Sequence, residues 1–110
     1  MSKAVPVFRV ADAAVSIDWY ARLSFTVEFE HRFEPDLPAY VGIVRDGASI
    51  HLSEHAGDAP GPGLVYLWVD AVDPIAAEFG VTVDEMPWAR DVELADPDGN
   101  RIRVAEPRPG

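Results

Sequence analysis

Asp46-Gly47-Ala48-Ser49-Ile50-His51-Leu52-Ser53-Glu54 returns later in the chain as Asp98-Gly99-Asn100-Arg101-Ile102-Arg103-Val104-Ala105-Glu106. In each copy an Asp-Gly turn feeds an alternating strand that ends on glutamate. Ser24-Phe25-Thr26-Val27-Glu28 is echoed by Gly80-Val81-Thr82-Val83-Asp84. Val10-Ala11-Asp12-Ala13-Ala14 is echoed more loosely by Val69-Asp70-Ala71-Val72-Asp73. The echoes keep their order, at offsets of 52, 56 and 59 residues. Shared order with nearly constant spacing marks two copies of one unit of roughly 50 residues.

The elements follow outward from those turns. Asp46-Gly47 is a type I′ hairpin signal, and it joins strands over 39–45 and 48–53. Residues 4–10 read as a strand. Pro6 has no N–H for a ladder, which places that strand at an edge. Asp12 caps a helix over 13–23 whose apolar stripe is Val15, Ile17, Tyr20 and Leu23, with Trp19 at its margin. Residues 25–33 alternate with period two and form a strand. Residues 55–63, rich in Gly, Pro and Ala, link the units. The second unit repeats the order: a strand over 64–69, a short helix from Pro74 ended by Gly80, a strand over 81–84, and a hairpin of 90–95 with 101–105. The expected fold is α+β: two tandem β-α-β-β-β units, about 4–54 and 63–106, in one domain spanning 1–110. They form a curled mixed-sheet cup with helices on the outer face.

Composition excludes several functions. A chain of 110 residues with 48% hydrophobic content supports one domain. The net charge of −10 argues against nucleic acid, which needs a basic face. It favours a cationic ligand as well as solubility. With no cysteine there is no disulfide, thiolate metal site or cysteine nucleophile. The polar opening Met1-Ser2-Lys3-Ala4 is no signal peptide, and no apolar run nears the ~20 residues of a membrane span. A cytoplasmic location is expected, with no membrane partner.

Strand alternation separates two faces. Phe8, Val10, Ile50, Leu52, Val65, Leu67, Val69, Val92, Leu94, Ile102 and Val104 form an apolar face for the helices to cover. The other face carries Arg9, His51, Leu64, Tyr66, Trp68, Asp91, Glu93, Arg101 and Arg103. Large aromatics on an open sheet face usually meet a ligand or partner. Asp91 and Glu93 are expected to balance Arg101 and Arg103 on the adjacent strand. Asp84-Glu85 and Asp91/Glu93 offer paired carboxylates, but no catalytic residue is assigned from them.

Over residues 4–106 this plan resembles the vicinal oxygen chelate superfamily, which includes glyoxalase I, extradiol dioxygenases and bleomycin resistance proteins. The resemblance is carried by Ile17-Asp18-Trp19-Tyr20-Ala21-Arg22-Leu23-Ser24-Phe25, where Ser24 replaces the usual Gly, and by Asp96-Pro97-Asp98-Gly99-Asn100. Ala4-Val5-Pro6-Val7, Tyr66-Leu67-Trp68-Val69 and Pro87-Trp88-Ala89-Arg90 are similar to the bleomycin resistance branch.

The resemblance implies metal-ligand positions at Val5, His51, Leu64 and Arg103. Only His51 can coordinate, and Arg103 is a permanent cation, so no metal and no cofactor are expected. His51 then has two readings: a groove residue that bonds or stacks on a guest, or a solvated strand histidine beside a neighbour such as Glu93. The implied function is a bleomycin-type antibiotic resistance protein. It would sequester a cationic aromatic glycopeptide without chemical conversion. The ligand-binding set is Trp88, Trp68, Tyr66, Phe33, His51, Asp91, Glu93 and Arg103. The implied assembly is a homodimer exchanging first strands around Pro6. The alternatives are an enzyme of the glyoxalase/dioxygenase superfamily, or an orphan domain binding another metabolite. The chain is shorter than typical members of the resistance branch, which weighs toward the orphan.

Overall fold

At the first hairpin turn Asp46 and Gly47 both take positive φ, 45° and 85°, as a type I′ turn requires. The computed structural model describes residues 2–32 and 34–109. The elements run β1 (Val7–Arg9), α1 (Ala13–Ala21), β2 (Thr26–His31), β3 (Tyr40–Arg45), β4 (Ala48–Ser53), β5 (Leu64–Trp68), α2 (Asp73–Phe79), β6 (Asp84–Glu85), β7 (Ala89–Ala95) and β8 (Arg101–Pro107). They form two open, mixed four-stranded sheets of matching order, β1-β4-β3-β2 and β5-β8-β7-β6. In each, the first strand runs parallel to the last and the other pairings are antiparallel.

The first strand is shorter than 4–10. It lies at a sheet edge, where the missing N–H of Pro6 costs no ladder bond, while the Pro6 carbonyl still accepts from His51 N at 2.9 Å. Helix α1 also stops early, and its buried positions are Ala13, Ser16 and Tyr20. Val15 is not in the stripe; it is exposed. Ser16 takes the inward place and satisfies its hydroxyl on the Asp12 carbonyl at 3.3 Å. The strand expected over 81–84 is displaced to Asp84–Glu85.

The apolar faces of both sheets meet the helices in one core. It contains Phe8, Val10, Ile50, Leu52, Leu67, Val92, Leu94, Ile102 and Val104, with Tyr20, Leu23, Val72 and Ile75. Val65 packs against it only partly buried. Each large side chain contributes about 1.5–3 kcal/mol by leaving water.

The two units are fastened to each other at the second turn. The Tyr20 hydroxyl donates to Asp96 Oδ2 at 2.8 Å. Asn100 is buried; its Nδ2 donates to the Arg9 carbonyl at 3.2 Å and its Oδ1 accepts from Gly63 N at 2.8 Å. On the surface, Arg22 lies 4.0 Å over the Phe79 ring and pairs with Glu78 at 3.2 Å. The paired glutamates of the sequence repeat do equivalent work. Glu54 accepts from Ala13 N at 2.8 Å, and Glu106 accepts from Val72 N at 3.1 Å. Each carboxylate meets a free N–H where its own unit's helix begins.

Candidate functional site

The uncovered face of the second sheet carries the site. Register sets the side chains in rows. Tyr66 stands beside Arg103, which stands beside Glu93. Two residues along, Trp68, Ala105, Asp91 and Asp84 form the next row. Beyond them the bend at 86–88 carries Met86 and Trp88. Tyr66, Asp84, Met86, Trp88, Asp91, Glu93 and Arg103 line a cavity of about 390 Å³. Trp88 is 57% exposed, and among the described residues no ring stacks on its indole.

Arg90 explains why the bend holds its place. Its side chain points to the opposite face from Asp91 and grips Asp73 through two contacts, at 2.8 and 3.0 Å. It also bonds Glu85 at 3.0 Å and lies 3.5 Å from Glu106. Hydrogen bonds to Asp73 and then Glu85 hold the Arg90 guanidinium above its ordinary pKa. The arginine of Pro87-Trp88-Ala89-Arg90 therefore braces the ends of the segment that presents Trp88. Arg108 adds a further contact to Glu85.

The charges in the cavity are unequal. Glu93 bonds Arg103 at 2.8 Å and lies 3.5 Å from Arg101. The bond to Arg103 holds the Glu93 carboxyl below the usual carboxylate range. The expected balance of both acids by both arginines is thus half right: Glu93 takes both guanidinium groups. Asp91 lies buried on the floor, and Asp84 stands opposite it across the β6–β7 pair. Among the described residues neither aspartate makes a side-chain ion pair.

The remaining expected residues lie elsewhere. Trp68 is 5.0 Å from the Tyr66 ring but lines a second cavity, of about 370 Å³, with Arg45, Asp46 and Ala48. His51 belongs to the first sheet, on the row Val7, His51, Gly42 and Phe29. Its partner is not Glu93: its Nδ1 is hydrogen-bonded to the Tyr40 hydroxyl at 2.8 Å. Burial, then the Asp58 charge, pushes the Tyr40 hydroxyl up and keeps it protonated. Phe29 stacks on Tyr40 and meets His51 edge-on at 5.2 Å. A side chain at Gly42 would collide with this Phe29 ring, its Cβ 2.2 Å from a ring carbon. Phe33, also expected in the groove, lies outside the described residues.

The metal positions implied by the resemblance do not fit an ion. Val5 and Leu64 have no donor and Arg103 is a cation bonded to Glu93, so His51 Nε2 would be one ligand where three are needed. Among the described residues no three His, Asp or Glu side chains are grouped to hold a metal. No helix is long and apolar enough to cross a membrane.

Asp84, Met86, Phe29 and Tyr40 complete the two open faces without having been assigned to them from sequence. Asp84 was visible as half of an Asp84-Glu85 pair, yet its neighbour in space is Asp91.

A family model described as glyoxalase superfamily protein matches residues 1–110. No curated protein matches the chain. Among solved structures, an antibiotic binding protein from Streptomyces sp. CB03234 is 26% identical with a TM-score of 0.71, over 97% of this chain and 98% of that one. A member of the glyoxalase/bleomycin resistance protein/dioxygenase superfamily from Sphaerobacter thermophilus DSM 20745 is 25% identical with a TM-score of 0.70, over 96% and 98%. A bleomycin-binding protein complexed with bleomycin shares the fold at 17% identity and a TM-score of 0.74, over 98% and 100%.

Proposed function

The chain belongs to the glyoxalase superfamily, and from that premise we propose that it is a binding protein which sequesters a cationic, aromatic small molecule without converting it. A bleomycin-type glycopeptide is the leading guest. The observation that carries this reading is the composition of one cavity: two aromatic faces and a thioether beside three carboxylates and a single guanidinium. Trp88 and Tyr66 stack on planar parts of the guest, each stack adding about 1 kcal/mol beyond area burial. The acidic walls and the acidic chain draw the positive part in and speed capture. The antibiotic-binding and bleomycin-binding neighbours support the same reading.

Two chains build the complete groove as a homodimer. The first strand pairs with only one neighbour among the described residues, and Pro6 sits at its start, where the chain can cross to a partner. The open face of Phe29, Tyr40 and His51 supplies an aromatic wall.

Replacing Trp88 tests the reading. Trp88→Ala weakens bleomycin binding about tenfold or more, as loss of a stacking anchor does. A variant that binds as tightly as the parent overturns it.

A further inference from the structure

Asp91 is in an unusual position for a carboxylate. It is 8% exposed and lines the cavity, yet among the described residues nothing hydrogen-bonds to it. Arg103 feels its charge but gives its hydrogen bond to Glu93. Asp84 stands directly across from it, and among the described residues its carboxylate makes no hydrogen bond or ion pair either. Opposed residues on antiparallel strands have Cβ atoms about 5 Å apart, and like charges there repel. Asp91 is thus a largely buried residue whose carboxylate oxygens keep some contact with solvent in the cavity but meet no hydrogen-bond donor among the described residues, and Asp84 sets a second negative charge beside it. A cation placed between the two groups relieves their repulsion and fills the open acceptor positions of both.

Resting on the binding reading above, we infer that Asp84 and Asp91 form a specificity end of the groove. It takes a planar amidinium or guanidinium group attached to an aromatic ring. Two adjacent carboxylates match the fork of such a cation, which can donate to both at once. A delocalised cation is weakly hydrated, so it enters a partly buried site at less cost than an ammonium. Trp88, on the bend beyond this row, flanks the attached ring, and Tyr66 lines the same cavity from the other side. The Glu93–Arg103 pair, already satisfied, bounds the other end and leaves the cation to the aspartates.

Benzamidine is the probe and benzamide its uncharged counterpart. Both are titrated into the parent protein, Asp91→Asn and Asp84→Asn, with tryptophan fluorescence as the readout. The expected result is saturable quenching by benzamidine, with binding about tenfold weaker for benzamide and about tenfold weaker in each variant. Equal binding of the two probes, or a parent-like affinity in either folded variant, overturns the inference. Thermal unfolding shows which variants are folded. If Asp91→Asn is not, the exposed Asp84→Asn and the benzamide comparison decide. Bleomycin binding that ignores both substitutions refutes the cation end and leaves the binding reading standing. Silence from both benzamidine and bleomycin refutes both.

Discussion

Ser24 and Gly80 hold the same backbone angle at equivalent points of the two units: φ is 64° at Ser24 and 65° at Gly80. Each follows its unit's helix, and the next residue closes the same hydrogen bond, Phe25 N to Tyr20 O at 3.2 Å and Val81 N to Ala76 O at 3.0 Å. This is the left-handed helix exit that glycine occupies without strain. A side chain there costs about 1–2 kcal/mol. Ser24→Gly therefore stabilises the protein by about 0.5–1 kcal/mol, after the extra freedom glycine gives the unfolded chain is subtracted. The denaturant midpoint measures it. An unchanged or lower midpoint contradicts the assignment.

Tyr20 makes stability depend on alkaline pH. Burial first, then the Asp96 charge and hydrogen bond, push its hydroxyl far above the ordinary tyrosine range. A folded-state pKa above the unfolded value of about 10 gives stability that is complete below pH ~10 and is lost as pH rises through the folded value. Tyr20→Phe costs about 2 kcal/mol at neutral pH, the worth of a hydrogen bond to a buried charged group. It also flattens the decline in stability above pH ~10. Chemical denaturation at pH 7 and at pH 11 checks both parts.

Arg90 braces the segment that presents Trp88, so its loss is felt at the guest. Arg90→Lys keeps the charge but cannot repeat the double contact with Asp73. The expected outcome is a more mobile Trp88, seen as lower tryptophan anisotropy, and bleomycin binding weakened about threefold to tenfold. Parent-like anisotropy and affinity contradict the bracing role.

The sheets were legible because their cues are local. Asp46-Gly47 and Asp96-Pro97-Asp98-Gly99-Asn100 each dictate a turn, and the alternation of Ile50/Leu52 and Ile102/Val104 dictates a buried face. Tyr66 and Asp91 could be put on one side for the same reason, whereas Trp88, on a bend outside the strand, entered only through the family resemblance of Pro87-Trp88-Ala89-Arg90. The Asp84–Asp91 opposition was not legible. It depends on the register of a two-residue strand, which no sequence period fixes. Phe29 was hidden by the register shift between Val27 and Phe29, which sets its ring over Gly42. Val15 misled as an apolar residue one position from the true stripe, which Ser16 occupies because its hydroxyl bonds back to Asp12.

Sequestration is measured by isothermal titration of the metal-stripped protein with metal-free and copper-loaded bleomycin, recording tryptophan fluorescence alongside. A sequestering protein gives saturable binding at one guest per chain, with quenching that Trp88→Ala largely removes. Absence of both heat and quenching, with the protein folded, would contradict sequestration of this drug class.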